Sequence, residues 1–423
     1  MSDVFTRSSA STVFADLVGQ EQAVATLRRA VESADRLTRV AARSAAERDR
    51  LAASGGSAGA APDRGAMTHA WLFTGPAGSG RSVAARAFAA ALQCPRLGCG
   101  ECQDCHTTLA GTHADVRFVV PEGLTIGVAE MRALVLRAAG APTQGRWQVL
   151  MVEDADRLTE AASNALLKAV EEPPPRTVFL LCTPSTHPDD ISVTIRSRCR
   201  TVTLRQPPAD AVAHVLVSRD GIDPDMAAWS AGAAQGHVGR ARRLARDPQA
   251  RATREAVLGI PRRLSGIGHC FDAAQALISA AEAEAEAVTA DRAVREKEEL
   301  RTALGAGGTG RGAANAARGS AGQLKDLERR QKARATRAQR DALDRALVDL
   351  AGFYRDVLMT RLSAPVALVH QDIATMTRAA AEKWTPDQTL RRIEAILACR
   401  EAIDANVKPR IAVESMMLTL WSP

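Results

Sequence analysis

The chain reads as an α/β protein: a parallel sheet with helices on both faces, followed by a region of helices alone. Three observations predict this. Short apolar runs at 70–74, 116–120, 149–152 and 178–182 are separated by helix-forming stretches, the alternation expected of βαβ units. The first run ends directly in a glycine-rich loop, as a buried parallel strand does at a phosphate site. Strand signals stop after 202–204, and from Pro207 onward only helical patterns remain. The composition agrees, because aromatics are only 3% and Ala, Leu, Arg and Glu are strong helix formers.

Taken in order, Val24, Leu27 and Val31 recur at helical spacing after Gly19, Gln20 and Glu21, so the chain opens with a helix. The stretch 54–65 (SGGSAGAAPDRG) is rich in Gly, Ser and Ala and is expected to be a flexible insertion. The strands and helices of the α/β region then run to about residue 206. A small helical unit is expected over 207–250 and a larger helical block over 251–423. The low-complexity stretch 305–322 is expected to be a disordered loop inside that block. After it, 325–345 holds eight Lys or Arg against four Asp or Glu. Leu343, Leu347, Leu350, Tyr354 and Val357 form an apolar stripe at helical spacing, the mark of a helix packed on one side.

At 423 residues, two or three domains are expected. The formal net charge of +7 is small for this length and is weak evidence for nucleic acid. No apolar run reaches the roughly 18 residues of a membrane-spanning helix, and the first residues lack an apolar signal core. A cytoplasmic protein with no membrane partner is therefore expected. In a reducing compartment its eight cysteines argue for metal rather than disulfides, because four of them fall within twelve positions.

The glycine loop is Gly75-Pro-Ala-Gly78-Ser-Gly80-Arg81-Ser82, which matches G-x-x-x-x-G-K-[ST] except at one position. Glycines there let backbone N–H groups curl around phosphate oxygens, the following helix (83–92) adds its positive end, and Ser82 can hold Mg²⁺. Arg81 stands where Lys is usual. A planar, forked guanidinium is not equivalent to a compact ammonium at such a site, so hydrolysis is expected to be impaired. The second departure is at 149–156, an apolar strand running into Glu153, Asp154 and Asp156. Phosphate-loop ATPases use an Asp on Mg²⁺ and a Glu near the attacking water, whereas here the order is Glu then Asp. The alternative for this stretch is an ordinary strand end, with Asp156 capping the next helix.

Cys94-x4-Cys99-x2-Cys102-x2-Cys105 follows the loop helix. Four thiolates this close suit a tetrahedral, structural Zn²⁺. An iron–sulfur cluster is the rival, and His106 and His113 lie near enough to substitute as ligands.

The order of these signals resembles the bacterial clamp-loader AAA+ proteins. Gly19-Gln20-Glu21 precedes the phosphate loop, the four-cysteine module follows it, and Asn164-Ala-Leu-Leu-Lys-Ala-Val-Glu-Glu-Pro-Pro and Ser197-Arg198-Cys199 come after the acidic strand end. The motifs cover roughly 12–248, and only the character of the C-terminal helices matches beyond that. The resemblance implies an AAA+ domain (1–206, with the zinc module at 94–105), a helical lid (207–250) and a helical collar (251–423). Among these proteins the delta-prime type loses the loop lysine and the Asp-Glu pair while keeping the zinc module, and the chain fits that pattern better than the ATP-hydrolysing motor type. The resemblance further implies that Arg198 reaches in trans into a neighbour's ATP site, that Thr183 and Ser185 lie where phosphate is sensed, and that Arg240 is a second sensor. ATP with Mg²⁺ is the implied ligand. Implied partners are a motor subunit and a delta-type subunit, with the sliding clamp and primer–template DNA met through the assembly. Two alternatives stand beside this reading: an active gamma/tau-like ATPase motor of the DNA polymerase III loader, and a non-enzymatic zinc protein binding DNA through its knuckle and the 325–345 helix.

Overall fold

A computed structural model of the chain describes residues 12–52, 66–303 and 313–423. The expected insertion at 54–65 lies outside the described residues. The described residues divide into two compact units. The first takes in the chain to Pro121, then Thr125–Arg219 and Gly236–Gly239.

This unit is built on five parallel strands, β1 (Ala70–Thr74), β2 (Val116–Val119), β3 (Gln148–Val152), β4 (Thr177–Thr183) and β5 (Arg200–Thr203). They lie in the order β2-β3-β4-β1-β5. The helices between them are α1 (Glu21–Ala52), α2 (Arg81–Gln93), α3 (Gln103–Leu109), α4 (Val128–Ala138), α5 (Glu160–Glu171), α6 (Val193–Arg196) and α7 (Ala209–Ser218). Strand side chains alternate between two apolar layers. Trp71, Phe73, Met151 and Leu180 meet Leu27 and Val31 of α1 and Phe88 of α2. Leu72, Leu150 and Leu181 meet Met131 of α4 and Leu166 and Val170 of α5. Both faces of the central strands are therefore covered, which is why they read in sequence as unbroken apolar runs rather than alternating ones. Trp71 and Phe88 pack edge to face with centroids 4.9 Å apart.

Asp115, buried just before β2, organises the loop leading into β3. Its Oδ1 accepts from the Thr143 N–H and hydroxyl at 2.8 Å, and its Oδ2 accepts from the N–H groups of Gln144 (2.8 Å) and Gly145 (2.5 Å). Burial alone would push this carboxyl up, but the donors outweigh it and bring it down to about 2.

The second unit takes in Asp220–Gln235 and Arg240–Pro423, together with Glu122–Leu124. Its helices are α8 (Pro224–Ala233), α9 (Val238–Arg246, from residue 240 on), α10 (Pro248–Leu258), α11 (Ile260–Arg263), α12 (Ile267–Ala303), α13 (Ala313–Arg361), α14 (Ala374–Lys383), α15 (Pro386–Asp404) and α16 (Pro409–Trp421). The small unit expected at 207–250 is thus shared out: α7 belongs to the first unit, and α8 and α10 to the second. The apolar stripe of α13 is where it was expected, with Leu343, Leu347, Leu350, Tyr354 and Val357 all buried against Ile396 and Cys399 of α15 and Val413 and Met417 of α16. Of the stretch expected to be a loop, 313–322 is instead the first turns of α13. Five of those ten residues are alanine, and helix propensity outweighs low complexity. Residues 304–312 lie outside the described set. No helix among the described residues is long and apolar enough to cross a membrane.

A buried polar group ties the loop before α14 to this core. Arg254 donates to Asp372 Oδ2 at 2.6 Å and lies 2.9 Å from His370 Nδ1, while His370 Nε2 is 3.0 Å from the Asp349 carbonyl. Burial, and then the Arg254 charge, lower the His370 pKa. A neutral ring that accepts at Nδ1 and donates at Nε2 fits both contacts.

The Asp115 carboxylate generates a prediction. Because its folded pKa is lowered, its contribution is present above the unfolded value near ~4 and is lost as pH falls toward about 2. Asp115→Asn turns an amide N–H₂ toward N–H donors and should cost about 2 kcal/mol at pH 7. Urea titrations at pH 7 and near pH 2 check this: the gap between variant and parent should narrow in acid, and a constant gap would show that the charge is not the cause.

Candidate functional site

In a parallel sheet the carboxyl ends of all strands face one edge, and ligands bind outside that edge. The register pairs Thr74 with Thr183 and Val152 with Leu181, which sets Gly75, Glu153 and Thr183 side by side in chain terms. Gly75 follows β1, where a Cβ would lie 2.3 Å from the Leu204 carbonyl oxygen. Gly78 has φ of 84°, and a Cβ there would lie 2.7 Å from His237 Cβ. Gly80, at φ 88°, caps α2, so Arg81 and Ser82 form its first turn. The loop geometry the motif requires is present.

What fills that geometry is less ordinary. Arg81 turns back on its own loop and donates from Nη1 to the Gly75 carbonyl at 2.9 Å. Glu153, at the end of β3, is held by Arg86 of α2, whose Nη2 and Nε lie 2.8 and 3.2 Å from Glu153 Oε1. The same guanidinium stacks over Phe118, 4.3 Å from the ring centroid. Neither Arg86 nor its role was legible in any motif. Only the placement of α2 beside the end of β3 reveals it. Asp154 adopts a left-handed conformation (φ 49°) and caps a short 3₁₀ turn at Ala155–Arg157. Asp156 sits within that turn, and burial, then the neighbouring Asp154 charge, raise its pKa. It does not cap the next helix: Thr159 does, its hydroxyl accepting from Ala162 N–H.

The hydroxyls expected to sense phosphate have local partners. Thr183, fully buried, donates to the Ser185 carbonyl at 2.8 Å, and Ser185 donates to Asp190 at 2.6 Å. Gln20, noted in sequence only as part of a motif, is buried. Its amide bridges both backbone groups of Arg205, accepting at 3.1 Å and donating at 2.5 Å, and reaches the Ser79 carbonyl at 3.4 Å. Arg240 is a member of the second unit, where its guanidinium pairs with Asp349.

Arg198 stands on the surface just after α6. Its Nη1 donates to the Thr194 carbonyl at 2.9 Å and lies 3.3 Å from the Ser197 hydroxyl, while its Nη2 lies 2.7 Å from Glu171 Oε1. Both partners of that pair remain well exposed, at 37% and 40%.

The four cysteines converge. Cys94, at the end of α2, and Cys105, on α3, are buried, Cys99 and Cys102 are half-buried, and all four sulfurs lie within 4.8 Å of one another. Cys94 is 3.6 Å from Cys99 and 3.7 Å from Cys102, sulfur to sulfur. A tetrahedron with metal–sulfur bonds of 2.3 Å has edges of ~3.8 Å, so the residues fit such an ion. Left-handed Leu97, Gly98 and Gly100 turn the chain so that the N–H groups of Arg96 and Cys99 point at Cys94 Sγ, at 3.3 and 3.4 Å. Burial raises the Cys105 and Cys102 thiols. At Cys99, the backbone N–H groups of Glu101 and Cys102 overcome burial and bring the thiol down to about 6. His106 and His113 are not needed to complete the set.

Comparison with known proteins bears on this same stretch. Residues 60–208 match the family model described as DNA polymerase III, delta subunit. The chain is 36% identical over 165 residues to the DNA polymerase III subunit delta' of Haemophilus influenzae, covering 38% of this chain and 50% of that one. It is 39% identical over 142 residues to the delta' subunit of Pseudomonas aeruginosa, covering 32% and 43%. It is also 38% identical over 141 residues to the gamma/tau subunit of Mycobacterium tuberculosis, covering 32% and 24%. These matches span half or less of each relative's own length. The phosphate loop and the five-stranded parallel sheet lie inside the matched residues, and over that stretch the chain is similar to the bacterial clamp-loader proteins.

Proposed function

We propose that the chain is a delta-prime-like subunit of a bacterial clamp loader, one that hydrolyses little or no ATP itself and presents Arg198 to the ATP site of a neighbouring motor subunit. The observation that carries this reading is the Arg86–Glu153 pair. The carboxylate best placed to serve Mg²⁺ or the attacking water is neutralised within the chain, and Arg81 is engaged with the Gly75 carbonyl. Gly75, Gly78, Gly80 and Ser82 would hold the phosphates, with Glu153, Asp154 and Thr183 lining the same edge. Bound Mg-ATP would supply the charge that orders this loop. Arg198, by contrast, lies exposed on a short turn and can reach a partner. A guanidinium acting in trans stabilises charge as the γ-phosphate leaves, an effect that can reach ~10³–10⁵ in rate. The partners would be the motor and delta-type subunits, joined through the helical C-terminal unit, with the sliding clamp and primed DNA engaged by the whole assembly. Such an assembly works in the cytoplasm.

The cysteine site would carry structural Zn²⁺. Four thiolates leave no open position for catalysis, and the ion would fix the path of the chain between α2 and α3.

Turnover, loader activity and metal content test this. Purified chain with Mg-ATP should show no turnover above background, whereas Arg198→Ala should assemble normally and cut the ATPase and clamp loading of the complete loader. Turnover by the isolated chain that Ser82→Ala abolishes would favour a gamma/tau-like motor instead, and an unchanged loader ATPase would remove Arg198 from the mechanism. For the metal, elemental analysis should find a single zinc per chain without iron, and Cys102→Ser should lose it and melt several degrees lower, on the order of 5 °C. Iron with visible absorption would assign a cluster instead.

A further inference from the structure

The reading of Arg198 leaves Glu171 unexplained. It is the last residue of α5, followed by Glu172 and three prolines. A carboxylate at a helix C-terminus faces the negative end of the helix dipole, so nothing local favours it there. Across the gap its Oε1 lies 2.7 Å from Arg198 Nη2.

Both ends of this contact stand on rigid ground. The residue before Glu171, Val170, is fully buried, and the prolines after Glu172 restrict the chain that leaves the helix. On the other side Ile195 is fully buried, and Ser192 caps the short α6. Between them the guanidinium is gripped on two sides. Nη1 serves the Thr194 carbonyl and the Ser197 hydroxyl, and Nη2 serves Glu171. A guanidinium has five N–H groups, so Nε–H and one Nη2–H remain for an incoming phosphate oxygen. An arginine held this way reaches a neighbour without first giving up the freedom of a long, mobile side chain.

We infer that Glu171 is a positioning residue for Arg198: its carboxylate holds the guanidinium plane in the orientation that a neighbouring subunit's γ-phosphate meets. The inference rests on reading Arg198 as the residue that acts in trans. Glu171 contributes through a hydrogen-bond acceptor at one place, so a glutamine should largely replace it. Its effect should fall on the chemical step rather than on ATP binding, because Arg198 acts as charge develops on the leaving phosphate.

The test uses the complete loader assembled with this chain, ATP as substrate, and clamp and primed DNA present. Glu171→Ala should lower kcat about fivefold at an unchanged KM for ATP, the loss expected when one side chain must be ordered afresh. Glu171→Gln should stay within about twofold of the parent. On an Arg198→Ala background, Glu171→Ala should add nothing. Because the pair is solvent-exposed, all variants should melt close to the parent and assemble normally, which separates positioning from a folding defect. If Arg198→Ala lowers the rate and Glu171→Ala does not, or if Glu171→Ala raises it, the positioning role is wrong while the arginine reading stands. If Arg198→Ala has no effect, the arginine reading itself fails and this inference falls with it.

Discussion

The parallel register of the sheet is the constraint on which the candidate site depends. Five strands running the same way deliver the ends of β1, β3 and β4 to one edge, and the chain spends its glycines there because the edge is crowded. At Gly75 any side chain would run into the Leu204 carbonyl, so the loop can leave β1 only if that position is bare. Burial on both faces fixes the strands that set the edge. Its cost in polar groups is met locally, as where Asp115 gathers the N–H groups of the loop before β3.

At that edge several charged and polar groups are paired within the chain, while the buried Ser79 hydroxyl and Asp156 Oδ1 have no hydrogen-bond partner. Arg86 and Glu153 compensate each other, Arg81 rests on a loop carbonyl, and the Thr183 and Ser185 hydroxyls have acceptors of their own. Arg198 faces outward, and among the described residues its ionic tie is an exposed one, to Glu171, of small worth.

Much of this was legible in the sequence. Apolar runs marked the strands, because a strand covered on both faces must be apolar throughout, and the cysteine spacing marked a cluster whose sulfurs do converge. The α13 stripe was legible for the same reason of burial. What escaped depends on pairings distant in sequence. Arg86 and Glu153 are sixty-seven positions apart, and no local pattern links them. Arg254, His370 and Asp372 meet only because the helices of the second unit bring them together. The stretch 313–322 escaped for the opposite reason: its low complexity signalled disorder, while its alanines carried a helix. Asp156 was considered as a helix cap, but the cap came three residues later, at Thr159, after a 3₁₀ turn that apolar periodicity does not predict.

The segment leading from Val13 to Gln20 gives the cysteine module a reach beyond itself. Val13 N–H bonds the Gly98 carbonyl, and Gly98 approaches Val13 so closely that a Cβ would lie 2.9 Å from its methyl. A few residues on, Leu17 packs 3.9 Å from where a Cβ on Gly80 would be, and Gln20 grips the Ser79 carbonyl. One short strap of backbone thus runs from the thiolate knuckle to the floor of the phosphate loop. The cysteine module and the phosphate loop therefore rest against the two ends of one short segment, so the backbone from Val13 to Gln20 is a shared support for both.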